Sequence, residues 1–144
     1  MNIFKACIII SCYTALLSGC GGVPDNVSVR KSFPIEVKNG ETFKILVSID
    51  NEADYRRILT SIDIDREFLK GIYVTKASPK PKEEYYAVGL HIFEFYKPIE
   101  AMKNQSIVFT ATAIRVGDFS GDFDVCIDSD GSCLFGSIRV LVTH

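Results

Sequence analysis

The residues best placed to do chemistry lie in the last third of the chain. Cys126-Ile-Asp-Ser-Asp-Gly-Ser-Cys133 brings two thiols within reach of each other. Set Cys126 opposite Cys133 across a hairpin, and Val125 opposes Leu134 while Phe123 opposes Gly136. Apolar residues then meet apolar residues, and an aromatic ring covers a strand glycine. Both cysteines fall on the outward parity with Asp124 and Arg139, so the register predicts a disulfide between Cys126 and Cys133. A redox or metal reading of the pair lacks C-x-x-C spacing, a nearby histidine and a third ligand. Asp118, Asp122, Asp124, Asp128 and Asp130 crowd the same stretch, with no basic residue among them. Such carboxylates can collect Ca²⁺, with Asp128 and Asp130 as the candidate ligands. Asp128-Ser129-Asp130-Gly131 looks like the middle of an EF-hand loop. With Gly131 at loop position 6, however, Cys126 and Ser137 fill positions 1 and 12, so the motif fails. The plainer reading is a solvated acidic edge that discourages strand pairing, and no cofactor is expected.

His91 lies in a run apolar on both parities. A hydrolase would have to use it, because the other histidine is the terminal His144. No G-x-S-x-G or comparable nucleophile signal accompanies it, so a non-enzymatic protein is expected. Lys76-Ala-Ser-Pro-Lys-Pro-Lys82, followed by Glu83-Glu84, reads as a proline-stiffened loop. Its Lys80 and Lys82 are candidates for meeting a partner, as are Asp128 and Asp130 in the second loop. Tyr85, Tyr86 and Tyr96 could stack on sugar rings or pack at sheet margins.

The elements that must position these residues read as strands. The candidates are Ser28–Val37, Thr42–Asp50, Ile58–Ile64, Gly71–Ala77, Tyr85–Tyr96, Ser106–Val116, Gly121–Asp128 and Leu134–Thr143. In the second, Phe43, Ile45, Val47 and Ile49 share one parity, which gives a strand with one wet face. Asn39-Gly40 before it signals a turn. Asn51–Leu59 has room for one short helical turn. An all-β chain with frequent turn signals predicts a single antiparallel sandwich of seven to eight strands. With 144 residues, 47% of them hydrophobic and 24% charged, there is material for one packed domain. A formal charge of −2 excludes a broad basic footprint for nucleic acid.

The first residues read as an address. Lys5 supplies a positive n-region, and Ala6 to Leu17 form an apolar stretch too short to span a membrane. Leu17-Ser18-Gly19-Cys20 resembles the lipobox of bacterial lipoproteins at all four positions. The resemblance implies a signal peptide over 1–19, cleavage before Cys20, and acylation of that cysteine. More than one acyl chain gives stable anchoring. Gly21 is not the Asp that resembles an inner-membrane retention signal, which favours the outer membrane in a host that has one. Cys7 and Cys12 would leave with the signal peptide and Cys20 would carry lipid. Cys126 and Cys133 then remain as a single pair in an exported domain. Residues 20–27 would form the lipidated cysteine and a short tether, and 28–144 the folded domain.

Asn39-Gly40-Glu41-Thr42-Phe43-Lys44-Ile45 resembles the turn and second strand of bacterial immunoglobulin-like domains. Ala111 to Gly121 resembles a late strand of those domains and the glycine-aromatic-glycine turn after it. Phe119 stands where a tyrosine often hydrogen-bonds across the corner. There is no Trp, and the two cysteines are too close in sequence to be the inter-sheet pair of antibodies. The resemblance implies a sandwich, not a binding specificity. The function expected is a membrane-anchored, non-enzymatic binding module that meets a cell-envelope protein. A glycan-binding or Ca²⁺-dependent small-ligand lipoprotein is the alternative, and a hydrolase stands behind both.

Overall fold

The computed structural model describes residues 22–144. The signal peptide expected over 1–19, the expected lipidation site Cys20, and Gly21 lie outside the described residues.

Eleven strands form two facing sheets, where seven to eight were expected. The smaller sheet has the order β1 (Val27–Ser32), β3 (Thr42–Asn51), β8 (Asn104–Ala113), β5 (Ile72–Ser78). The larger runs β2 (Glu36–Lys38), β11 (Ser137–Thr143), β9 (Gly117–Ile127), β4 (Arg57–Asp65), β7 (Leu90–Ile99), β6 (Glu83–Ala87). The short β10 (Cys133–Leu134) also pairs with β9. All pairings are antiparallel except β2 with β11, which is parallel.

The surplus strands come from three expected strands that each split. At Phe33-Pro34 the chain leaves the smaller sheet and re-enters the larger as β2. Proline supplies no ladder donor, so it suits that crossing. Tyr85–Tyr96 is a hairpin, β6 to β7, turning on Val88 (φ 51°) and Gly89 (φ 77°). Two successive positive φ angles match the right-handed twist of the flanking strands. Valine seldom sits in such a turn, so the sequence hid it. The third split falls at Phe135-Gly136, between β10 and β11.

The alternation read in β3 holds. Phe43, Ile45, Val47 and Ile49 are buried, and Gly40 turns at φ 86° just before them. They pack with Ile107 and Phe109 of β8 against Leu59, Ile62, Ile64, Phe93, Phe123, Val125 and Ile127 of the larger sheet. Aromatic rings cross this core edge to face. Phe93 and Phe109 lie 5.1 Å apart, and Phe109 and Phe123 6.1 Å.

The helical turn expected in Asn51–Leu59 is absent. The buried Asn51 amide donates instead to the carbonyls of Tyr55, Ile99 and Glu100, and its oxygen accepts from the Ala53 N–H. The loop folds round that side chain, which supplies locally the bonds a helix would otherwise make. The 3₁₀ turn lies at Phe68–Lys70. Behind it, Gly71 cannot carry a side chain, because a Cβ there would sit 2.1 Å from the Phe119 ring. Phe119 therefore fills its corner by packing on a glycine where a tyrosine would hydrogen-bond.

Candidate functional site

β9 and β10 bring the cysteines together as the parity required. Cys126 pairs with Cys133 and Val125 with Leu134, and the two sulfurs are bonded. Two details differ from expectation. The cysteines sit on the outer face of the larger sheet, yet both are buried. The Asp63 carboxylate lies 3.7 Å from the Cys126 sulfur, and the Asp130 carbonyl lies 3.2 Å from the Cys133 sulfur. Nor does Phe123 cover Gly136. That place belongs to Lys31, whose Nζ would be 2.3 Å from a Cβ on Gly136. Lys31 donates to the Ser137 carbonyl and lies 5.1 Å from the Phe123 ring centroid. Burial pulls its pKa down, against the charge of Asp124.

Asp128 is committed to structure. One oxygen accepts from Arg57 Nε at 2.6 Å and the other from the Ile58 N–H at 2.9 Å. Arg57 is 4% exposed. It also donates to the Asp25 carbonyl at 2.7 Å and stacks over Tyr55 at 5.3 Å. The sequence reading missed this arginine, which ties the start of the domain to the turn after β9. With both oxygens engaged, Asp128 is not a free cation ligand. Among the described residues, no three His, Cys, Asp or Glu side chains converge as a metal site. Asp118 likewise pairs with Arg139.

A carboxylate pair does form on the outer face. Asp63 of β4 sits directly opposite Asp124 of β9. Burial raises the pKa of Asp63 against a Ser61 hydrogen bond, with the charges of Asp124, Asp130 and Glu94 adding to the rise. Burial also raises Asp124, against the Gly136 N–H. One Asp63 oxygen is buried with no hydrogen-bond partner. A group whose folded pKa lies above its unfolded value contributes stability at low pH and loses it as pH rises through the folded value. Asp63→Asn is therefore expected to stabilise the domain at pH 7 by roughly 0.5–1 kcal/mol, the range for relieving directly opposed like charges. The gain should shrink as pH falls toward the ordinary carboxylate range. Thermal melts of both proteins from pH 7 to pH 3 check this, and a constant difference would refute it.

His91 is packed, not poised. Its ring lies 4.3 Å from Tyr86 and 4.1 Å from Phe93, with Nε2 3.4 Å from a Glu84 oxygen. Burial lowers its pKa, opposed by Glu84. Among the described residues, no serine, threonine or cysteine hydrogen-bonds to it.

Lys80 and Lys82 line a cleft of about 520 Å³. It opens between the edge strands of the two sheets, with β5 on one wall and Glu83 and Glu84 of β6 on the other. Pro81 and the buried Phe93 also line it. The ion pairs among the described residues include none of Lys76, Lys80 and Lys82. The second loop does not line this cleft. Lys82 lies 5.8 Å from the Tyr96 ring, and the Tyr96 hydroxyl pKa is raised chiefly by Glu94 and also by the charge of Asp130. Tyr85 beside it donates to Glu94 at 2.8 Å, and its pKa is pushed up to about 12. Tyr85 and Tyr96 thus lie near Glu94, whereas Tyr86 packs against His91 with the Arg66 guanidinium over its ring.

No family model matches the chain, and no curated protein matches it in sequence. Solved structures do share its shape. The cupredoxin domain of amoB from Nitrosocaldus yellowstonii superposes with a TM-score of 0.54 at 7% identity, covering 85% of this chain and 90% of that one. A cohesin module from a Clostridium perfringens family 33 glycoside hydrolase gives 0.50 at 10% identity, covering 81% and 96%. The CARDB domain of the Pyrococcus furiosus PF1109 protein gives 0.50 at 11%, covering 81% and 87%. Of two other matched chains, this chain spans only 31% and 51%. At such identities the likeness speaks for fold alone. The chain is an all-β, immunoglobulin-like sandwich closed at one hairpin by a disulfide.

Proposed function

We propose that this protein is a lipid-anchored, non-enzymatic interaction module of a bacterial cell envelope. In this reading Cys20 carries the lipid, and the cleft beside Lys80 and Lys82 receives a segment of an envelope protein. The observation that carries the proposal is that cleft. Two edge strands border a concave surface, and the ion pairs among the described residues include none of its three lysines. Exposed strand edges accept extended segments through main-chain hydrogen bonds, and flanking charges select among them. The disulfide supports an oxidising, exported setting. No helix among the described residues is long and apolar enough to cross a membrane. The Ca²⁺-dependent reading loses Asp128 to Arg57.

The test is affinity purification of the tagged protein from gently crosslinked, detergent-solubilised envelopes. A soluble Cys20→Ala form and a Lys80→Glu/Lys82→Glu form run alongside. A stoichiometric partner is expected with the anchored protein. Its recovery should drop about tenfold or more on charge reversal, the effect of placing like charges against a central contact. Recovery unchanged by charge reversal would remove the cleft from the proposal. No partner in any form would count against the module itself.

A further inference from the structure

We infer that one end of the sandwich lies against the lipid surface, with Val23, Tyr55 and Met102 as its contact residues. The inference rests on the anchoring reading above and adds to it an orientation and a contact surface.

Three segments meet at this end. The Asn26 carbonyl accepts from the Glu52 N–H, and the Ala53 carbonyl accepts from the Met102 N–H. Arg57 joins Asp25 to the ring of Tyr55. The end presents three large side chains to solvent: Val23 at 63% exposure, Tyr55 at 51% and Met102 at 70%. Met102 stands at φ 59° on the β7–β8 turn. This is the end at which the chain enters the fold. Pro24 is already buried and the Asp25 carbonyl is held by Arg57, so the free tether is shorter than 20–27. Only residues 20–23 separate the lipidated cysteine from the fixed part. Even fully extended, they reach about 13 Å. The headgroup layer on each face of a bilayer is roughly 5–8 Å deep. A sandwich held on so short a leash must bring this end to the headgroups, where a tyrosine and two apolar side chains are favoured.

The charges at this end are of both signs. Asp25, Glu52, Asp54 and Glu100 stand with Arg56, Arg57 and Lys103, and Arg56 pairs with Glu100 at 2.9 Å. The contact is therefore apolar and interfacial, not an attraction to anionic lipid. It should form on neutral phosphatidylcholine and persist in high salt.

The chain contains no tryptophan, so a single introduced one reports its own surroundings. The acylated full-length protein, carrying Met102→Trp or Val88→Trp, is reconstituted into phosphatidylcholine vesicles with brominated acyl chains. Val88 marks the opposite end at 97% exposure. Met102→Trp is expected to give blue-shifted emission quenched by the bromolipid, and Val88→Trp neither. Emission at 102 matching that of the soluble Cys20→Ser form, or equal quenching at both positions, would overturn the inference. Flotation separates the two levels. Protein that floats with the vesicles but shows no shift refutes the orientation alone. Protein that fails to float refutes the anchor and the orientation with it.

Discussion

Arg57→Ala is expected to destabilise the domain by about 3 kcal/mol, the low end of the cost of breaking a buried ion pair by deleting one partner. In a domain of this size that lowers Tm by roughly 10 °C. The low end applies because Asp128 is 43% exposed and water can reach it once Arg57 is gone. The cost is still large, because Arg57 makes several contacts at once. Its Nε donates to Asp128, its Nη1 to the Asp25 carbonyl, and its guanidinium covers Tyr55. Arg57→Lys should recover only part of the loss. A single ammonium cannot bond two acceptors in the directions that the planar fork serves together. Urea titrations of both variants check this. A loss below about 1 kcal/mol for Arg57→Ala would place the pair among ordinary surface bridges.

That arginine also shows where sequence reading stops. Hydrophobic parity and turn residues fixed most of the strands and the hairpin at Cys126–Cys133, because those signals are local. The register followed from which residues share a face, and the two chains of that hairpin are neighbours in sequence. Arg57 shares the inward parity of Leu59, which is a signal in the sequence, but parity alone names no partner for a buried guanidinium. Its partners Asp25 and Asp128 come from the two ends of the domain, and no local pattern joins them. The same holds for Asp63 and Asp124. Between β4 and β9 the chain runs through β5, the β6–β7 hairpin and β8, crossing to the smaller sheet and back twice, so no local pattern joins them. Lys31 over Gly136 is likewise a contact between sheets. The cleft was half legible. The proline-lysine loop stood out, but the facing edges of β5 and β6 required the topology. Val88 hid the hairpin that makes one of those edges.

The second large effect is expected at the disulfide, and it should be coupled to the first. In the chain-entropy model, closing a loop this short contributes about 2.5 kcal/mol. Cys126→Ala/Cys133→Ala is the cleaner variant, because both sites are buried and serine would leave hydroxyls there in need of partners. The loss should be read by urea denaturation, and reducing agent should produce a comparable loss in the parent and none in the variant. Beyond loop closure, the bond fixes the Asp128–Ser132 turn. The Ile127 N–H donates to the Ser132 carbonyl across its base, and Asp128 at φ 67° aims its carboxylate at Arg57. A left-handed aspartate is tolerated where its surroundings hold it. Without the disulfide the turn gains freedom, and Arg57 loses a fixed acceptor. Arg57→Ala should therefore cost less in the cysteine-free background than in the parent, by about 0.5 kcal/mol or more, as for residues that share one network. Strict additivity would mean that the hairpin ladder alone positions Asp128 and that the disulfide acts only on the unfolded chain.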